Sequence, residues 1–216
     1  MGDLKKINSQ SLGEEISNSV SHGVGALLAV AGTVILIVKA AMGGTAINVV
    51  SAALYGASLI ILYVFSTLYH SITNFKAKSV LRVFDHCSIY LLILGSYIPI
   101  SLCLIGGTRG WVLFGINAAA AVVGIVLNSI SLVRWKKFSM ALYIIMGWSV
   151  VMSFKSIILN VDVKGIVLLV AGGVAYTAGI GFFADKKHKY AHFVWHIFVL
   201  AGSILQFFFM LNYCVG

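Results

Sequence analysis

Residues 20–38 read VSHGVGALLAVAGTVILIV and are followed by Lys39. The stretch contains no aspartate, glutamate, lysine or arginine, and it is long enough to cross the apolar core of a bilayer as a helix. Similar apolar stretches recur along the chain between short basic segments. The sequence therefore predicts an all-α membrane protein built as a bundle of seven transmembrane helices. The predicted spans are residues 19–41, 46–70, 85–106, 111–132, 138–159, 164–184 and 191–214.

The composition supports a membrane protein. Of the 216 residues, 60% are hydrophobic and only 10% are charged, whereas a soluble domain has about a quarter charged residues. This excludes a soluble globular enzyme, a secreted disulfide scaffold and a disordered chain. The three cysteines are widely spaced, which predicts free thiols. Because the connections are short, we expect a cytoplasmic N-terminal tail at residues 1–18 and one transmembrane domain at residues 19–214.

The distribution of positive charge predicts the orientation of the bundle. Lysine and arginine number 15 against 6 acidic residues, a net charge of +9. Eleven of the basic residues fall in the N-terminal tail and in the loops after spans two, four and six, and four fall on the opposite side. An excess of lysine and arginine in short loops marks the cytoplasmic side. We therefore expect the N-terminus inside and the C-terminus outside, with membrane lipids rather than nucleic acid as partners.

The histidines gather on the predicted cytoplasmic side. His192 and His196 are four residues apart, so a helix presents both imidazoles on one face, one turn apart. His70 closes span two on the same side. Three imidazoles with an open fourth position for water describe a catalytic zinc site. Zinc lowers the pKa of such a water to about 7 and so creates a hydroxide nucleophile.

Two further residues suit this chemistry. Asp85 opens the predicted third span on the same side, where it could orient an imidazole or hold the bound water as a general base. Ser66 precedes His70 by one helical turn and could donate a hydrogen bond to the water or to an oxyanion. The candidate site therefore consists of His70, His192 and His196 as zinc ligands and of Asp85 and Ser66 as catalytic residues.

Each of these residues also has a simpler explanation. A histidine pair at a membrane interface can be a snorkelling polar edge, and His70 can be an ordinary helix-end histidine with its hydrogen bonds satisfied. Asp85 suits a helix N-cap, and Ser66 can bond back to its own helix. The placement of all five residues on one side of the membrane favours the site.

Other polar residues are assigned no firm role. His86 neighbours Asp85 but points about 100° away around a helix, and His188 lies among lysines in a loop. Helix capping and interfacial anchoring explain Asn18, His22 and the adjacent Glu15 about as well as a role in the site. Glycines that suit close helix packing lie in span six, at Gly172, Gly173, Gly179 and Gly181.

The combined motifs resemble the bacterial hemolysin III family, which belongs with the progestin and adipoQ receptors. They are Ser66-x-x-x-His70, Phe84-Asp85-His86 and Tyr190-Ala191-His192-x-x-x-His196. The segments Glu15-x-x-Asn18-x-x-x-His22-Gly23 and Met146-Gly147-Trp148 fit the family as well. The resemblance covers nearly the whole chain.

The resemblance implies a seven-helix protein of the bacterial cell membrane with a cytoplasmic N-terminus. It also implies a zinc ion held by His70, His192 and His196, with Asp85 holding the zinc-bound water and Ser66 close by. The receptor relatives look like lipid amide hydrolases of ceramidase type. The bacterial members are connected with membrane lipid homeostasis.

The leading hypothesis is an integral membrane zinc hydrolase that cleaves an acyl bond in a lipid. A second hypothesis is a non-catalytic sensor or regulator of membrane state whose zinc is structural. A third is a haemolysin-like pore, although short-looped apolar helices lack the water-facing charged stripe of a channel. The substrate and the oligomeric state stay open.

Overall fold

The computed structural model describes residues 10–185 and 187–216 of the chain. Residues 1–9 of the predicted tail lie outside that part. All regular secondary structure in the described residues is helical, and seven segments are long and apolar enough to span a membrane. The prediction of an all-α, seven-span membrane protein is therefore confirmed. The helices are α1 (Leu12–Gly43), α2 (Ala46–Ser71), α3 (Phe75–Pro99, continued by a π-helix over Ile100–Ile105), α4 (Gly107–Ile130), α5 (Lys136–Trp148), α6 (Phe154–Ile158), α7 (Val163–Ala184) and α8 (Ala191–Tyr213).

Two helices begin well before their predicted spans. α1 begins at Leu12 rather than at residue 19, because Ser11 and Glu14 form a capping box at its N-terminus. α3 begins at Phe75 rather than at residue 85, with the side chain of Asn74 as its N-cap. Hydropathy locates only the apolar part of a helix, and these helices continue into polar sequence. Both extensions carry residues that matter at the candidate site.

The predicted fifth span, residues 138–159, is an interrupted helix. A 3-10 segment at Ser149–Ser153 separates α5 from α6. Tyr97 of α3 contacts both sides of the break, because its hydroxyl donates to the carbonyl of Gly147 at 2.9 Å and accepts from the N–H of Val150 at 2.8 Å. Irregular backbone inside a membrane needs such partners, so the packing of α3 against this span stabilises the interruption.

Buried tyrosines fill the interior of the bundle. Tyr55, Tyr63 and Tyr90 are at most 1% exposed, as is Phe209. Many large apolar side chains are instead exposed on the outer surface, as expected where helices face lipid. The three cysteines are free thiols, as predicted.

Glycines allow the closest helix contacts. At Gly179 of α7 an added Cβ would lie 2.6 Å from the ring of Trp195, and at Gly172 it would lie 2.6 Å from Gln206. The predicted role in packing is thus confirmed for these two positions. It is wrong for Gly181, where an added Cβ would have no neighbour within 4 Å. The glycine contacts hold α8, which carries two of the candidate ligands, close against α7.

Candidate metal centre

Three histidines from two helices converge inside one end of the bundle. His70 lies at the end of α2, and His192 and His196 lie on the first turns of α8. Each offers a ligand atom, and these atoms lie within 4.8 Å of one another. The ring centroids are 4.7 to 5.2 Å apart. The structure therefore assembles the predicted three-histidine group in a form that could hold a metal ion.

The two nitrogens of His70 have different surroundings. Nδ1 lies 2.7 Å from Oε2 of Glu15 on α1. Nε2 is buried and has no hydrogen-bond partner. A buried polar atom without a partner is unfavourable unless something else binds it. His70 is therefore not the fully satisfied helix-end histidine of the simpler explanation, and its Nε2 suits a metal.

Glu15 is itself held by a buried lysine. Nζ of Lys78 on α3 lies 2.9 Å from Oε1 of Glu15 and donates to the carbonyl of Tyr69 at 3.1 Å. The side chain of Lys78 is only 7% exposed. Lys78 falls in the predicted loop after span two, whereas α3 begins at Phe75 and already carries it. The structure instead shows a Lys78–Glu15–His70 chain that links three helices.

His196 is the most deeply buried of the three histidines. It is 1% exposed, which excludes a snorkelling edge at this position. Its Nδ1 lies 3.2 Å from the carbonyl oxygen of Asn18 and 3.3 Å from Oγ of Ser21. A carbonyl can only accept, so Nδ1 carries the proton and Nε2 presents a lone pair. Contacts from α1 thus favour one tautomer of His196 on α8.

His22 of α1 stacks on His196. The two rings are nearly parallel, at 11°, with centroids 3.5 Å apart. The edge of His22 packs against Tyr63 at 5.0 Å. Helix capping and a role near the site therefore apply to different residues of the N-terminal segment. Glu14 belongs to the helix cap, whereas Glu15, Asn18 and His22 contact the histidine group or residues next to it.

Ser66 has the surroundings expected of a group that meets a ligand. It lies one turn before His70, is 1% exposed, and its Oγ has no hydrogen-bond partner. The simpler explanation, a bond back to its own helix, does not apply. Nearby Thr67 does make that bond, to the carbonyl of Tyr63.

Asp85 lies inside α3 and is not its N-cap. Its side chain is 14% exposed, with Oδ2 3.5 Å from Nδ1 of His86. The carboxylate also interacts electrostatically with His70 and His192. It is not a member of the group whose ligand atoms meet, so the carboxylate lies beside the three histidines rather than among them. The ring of His86 contacts Phe183, which in turn contacts His192. His86 therefore lies close to the group, although it is not one of the three residues whose ligand atoms meet.

The connection between α7 and α8 fixes the start of the ligand-bearing helix. Asp185 accepts from the backbone N–H groups of Lys187 and His188, at 2.8 and 3.2 Å. These bonds, with the His188 side chain, lower the pKa of Asp185 to about 2. Tyr190 adopts a left-handed backbone, with φ 61°, and its N–H donates to Glu14 at 2.9 Å. His188 is 81% exposed, as its loop position predicted.

A cavity of about 190 Å³ lies between the same helices; the three histidines do not line it, but several of its lining residues are within one helical turn of the candidate site residues. Leu62 lines it one turn before Ser66, and Ile89 lines it one turn after Asp85. Trp195, adjacent to His196, lines it as well. Most of the wall is apolar. The candidate site therefore lies where polar residues at one end of the bundle meet an apolar interior.

Comparison with known proteins identifies the family. A family model described as haemolysin-III related matches residues 10–207. The chain belongs to the haemolysin III family. Its relatives include Hemolysin-3 of Bacillus cereus, which is 42% identical over 204 residues, 94% of this chain and 93% of that protein. The Hemolysin-3 homolog of Bacillus subtilis (strain 168) is 40% identical over 202 residues, 94% and 95% of the two chains.

A more distant relative is human. The monocyte to macrophage differentiation factor of Homo sapiens is 26% identical over 212 residues, 93% of this chain and 84% of that protein. Membership of the haemolysin III family, predicted from the motifs, is therefore confirmed. With the seven spans, it makes the chain a multi-pass membrane protein, and the bacterial relatives indicate the cell membrane.

Proposed function

We propose that this haemolysin III protein is a zinc-dependent hydrolase that cleaves an acyl bond in a membrane lipid and so contributes to membrane lipid homeostasis. The observation that carries the proposal is the group formed by His70, His192 and His196, beside an apolar cavity. A site for soluble substrates would not need an apolar interior on its inner side.

The residues present fit a zinc ion. Zinc in catalytic sites takes three protein ligands, and imidazole is among its preferred donors. The buried Nε2 of His70 has no other partner, and carboxylate or carbonyl groups hold the Nδ1 atoms of His70 and His196, as is usual for metal-binding histidines. Zinc bound there supplies Lewis acidity toward water and toward an acyl carbonyl.

The neighbouring side chains have the chemistry that acyl hydrolysis requires. The Asp85 carboxylate accepts the proton of the attacking water and returns it to the leaving group. The Ser66 hydroxyl, which has no partner in its own helix, donates to the carbonyl oxygen as negative charge develops on it. The apolar cavity holds the acyl chain and excludes bulk water.

The proposal is tested with purified protein in detergent, zinc and three lipid classes that carry acyl bonds: an N-acyl lipid, a diacylglycerol and a diacyl phospholipid. Release of free fatty acid is followed by mass spectrometry. We expect release from at least one class, with loss of activity in Asp85→Asn at unchanged zinc content. Asp162→Asn, the same substitution at the N-cap of α7, is the matched control and keeps activity. No release from any class contradicts a hydrolase, and full activity in Asp85→Asn contradicts Asp85 as its general base.

A membrane-state sensor with a structural zinc is the second candidate. The contacts of α1 with the histidine group favour it, because Glu15 and Asn18 tie two of the histidines into the bundle. In that case the histidines stabilise the fold and Asp85→Asn keeps cellular function. If the protein is a hydrolase, Asp85→Asn instead gives a stable protein without activity.

A further inference from the structure

The cavity wall is not uniformly apolar. Gln206 of α8 and Tyr176 of α7 both line it. Gln206 is 6% exposed, and its Nε2 donates to the carbonyl of Leu169 at 3.0 Å. Its Oε1 is buried and has no hydrogen-bond partner. A membrane protein that keeps a buried acceptor without a partner beside a cavity points to a donor that arrives from outside the chain.

The orientation of the Gln206 amide is determined by its neighbours. The carbonyl of Leu169 can only accept, so the atom that faces it is the nitrogen. That same nitrogen is the atom nearest to an added Cβ on Gly172. Oε1 can therefore only accept a hydrogen bond, and none reaches it from the described residues.

Three hydroxyl groups near Gln206 have one more proton than the hydrogen bonds among them use. The hydroxyl of Tyr63 donates to Oγ of Ser203 at 2.8 Å, and Ser203 shares a second bond with the hydroxyl of Tyr176 at 2.9 Å. Three hydroxyl protons serve two hydrogen bonds. The third proton belongs to Ser203 or Tyr176, and Ser203 is three residues before Gln206, on the same helix face.

One spare acceptor and one spare donor at neighbouring positions match the two capacities of a hydroxyl group. We propose that the cavity binds a long-chain acyl group bearing a hydroxyl part-way along the chain. Gln206 accepts from this hydroxyl, and the Tyr176–Ser203 pair donates to it. The inference rests on the proposed function, which puts the acyl carbonyl at the histidine group.

The helix geometry gives the position of the recognised hydroxyl. At a rise of about 1.5 Å per residue, Ser203 and Gln206 lie about 10 and 15 Å along α8 from His196. The hydroxyl is therefore in the middle of the acyl chain rather than beside the carbonyl.

The test measures binding without turnover. Purified full-length protein in lipid nanodiscs is titrated with stearate, its mid-chain hydroxy derivative and its α-hydroxy derivative, each displacing a fluorescent fatty acid. We expect the mid-chain hydroxy acid to bind about tenfold more tightly than stearate, because a site built to bond a hydroxyl discriminates against an analogue that lacks it. The α-hydroxy acid binds like stearate.

Two variants assign the preference to the polar pair. Gln206→Met and Tyr176→Phe each reduce the preference to about twofold or less, while both still bind stearate. Ser96→Ala is the matched control. Ser96 also lines the cavity, but its hydroxyl donates to Leu92 of its own helix, so the preference persists.

The outcomes separate this inference from the proposed hydrolase. Equal affinity for stearate and the mid-chain hydroxy acid overturns the inference, as does a preference that survives both variants. Either result leaves fatty acid release intact as a test of hydrolysis. Conversely, His192→Ala abolishes hydrolysis and keeps the binding preference, because the polar pair does not touch that residue.

Discussion

Glu15 of α1 and His70 of α2 meet at 2.7 Å, carboxylate oxygen to Nδ1. A carboxylate in this position holds the proton on Nδ1 and leaves the lone pair on Nε2 for a metal. Lys78 of α3 pairs with the second carboxylate oxygen at 2.9 Å. The first helix of the bundle therefore determines how a histidine on the second helix presents its ligand atom.

The first prediction concerns this carboxylate. Glu15→Ala lowers the affinity for zinc by about 10- to 100-fold, because His70 loses the group that orients its ring. Glu15→Gln, which keeps an acceptor for Nδ1–H, loses less. Competition with a chelator of known affinity measures both. Wild-type affinity in Glu15→Ala would show that α1 only packs against the site.

The second prediction compares two of the buried serines of α2, Ser66 and Ser58. Ser66→Ala lowers the turnover of an acyl substrate about 100-fold, the typical cost of removing an oxyanion donor, and leaves zinc content unchanged. Ser58→Ala is the matched control, since its hydroxyl already donates to the carbonyl of Tyr55. Equal activity in the two variants would remove Ser66 from the mechanism.

The third prediction compares two glycines of α7. Gly179→Ala destabilises the protein by about 1 to 3 kcal/mol, because the new methyl group would lie 2.6 Å from Trp195. Gly181→Ala has open space and is neutral or stabilising by up to about 1 kcal/mol. Unfolding in mixed detergent measures the difference. Similar stabilities would mean that α7 and α8 are less closely packed than described.

The fourth prediction concerns orientation. The charge distribution predicts that the N-terminus and the histidine end of the bundle lie in the cytoplasm. A periplasm-dependent phosphatase fused after Gly216 should be active, and a fluorescent protein fused there should be dark. The same fusions after Arg134 should give the opposite pattern. A cytoplasmic C-terminus would reverse the assignment of both faces.

The three-histidine group could be predicted because it depends on short-range rules. The spacing of His192 and His196 sets their common face, and the alternation of spans brings His70 to the same end. Both rules hold whatever the details of helix packing. The structure accordingly brings these residues together, while their role as zinc ligands stays a prediction.

The residues around the group could not be predicted in the same way. The Lys78–Glu15–His70 chain and the stacking of His22 on His196 join separate helices, and no local pattern encodes such contacts. Lys78 could have been assigned to a helix only if α3 had been predicted to begin before residue 78. Asn74 followed by a helix-forming segment could have indicated this earlier start, because asparagine is a preferred N-cap.

The interruption between α5 and α6 could not be predicted from the sequence either. Hydropathy treats residues 138–159 as one apolar span, since it does not register backbone hydrogen bonds. The break at Ser149–Ser153 depends on the hydroxyl of Tyr97 from another helix.

The most direct test of the account is the zinc content of the purified protein. The wild type and His192→Ala are prepared side by side in metal-free detergent buffer and analysed by mass spectrometry for zinc. The account predicts about one zinc ion per wild-type chain and a large loss in the variant. Equal zinc in the two proteins, or only background zinc in the wild type, would contradict a three-histidine metal site.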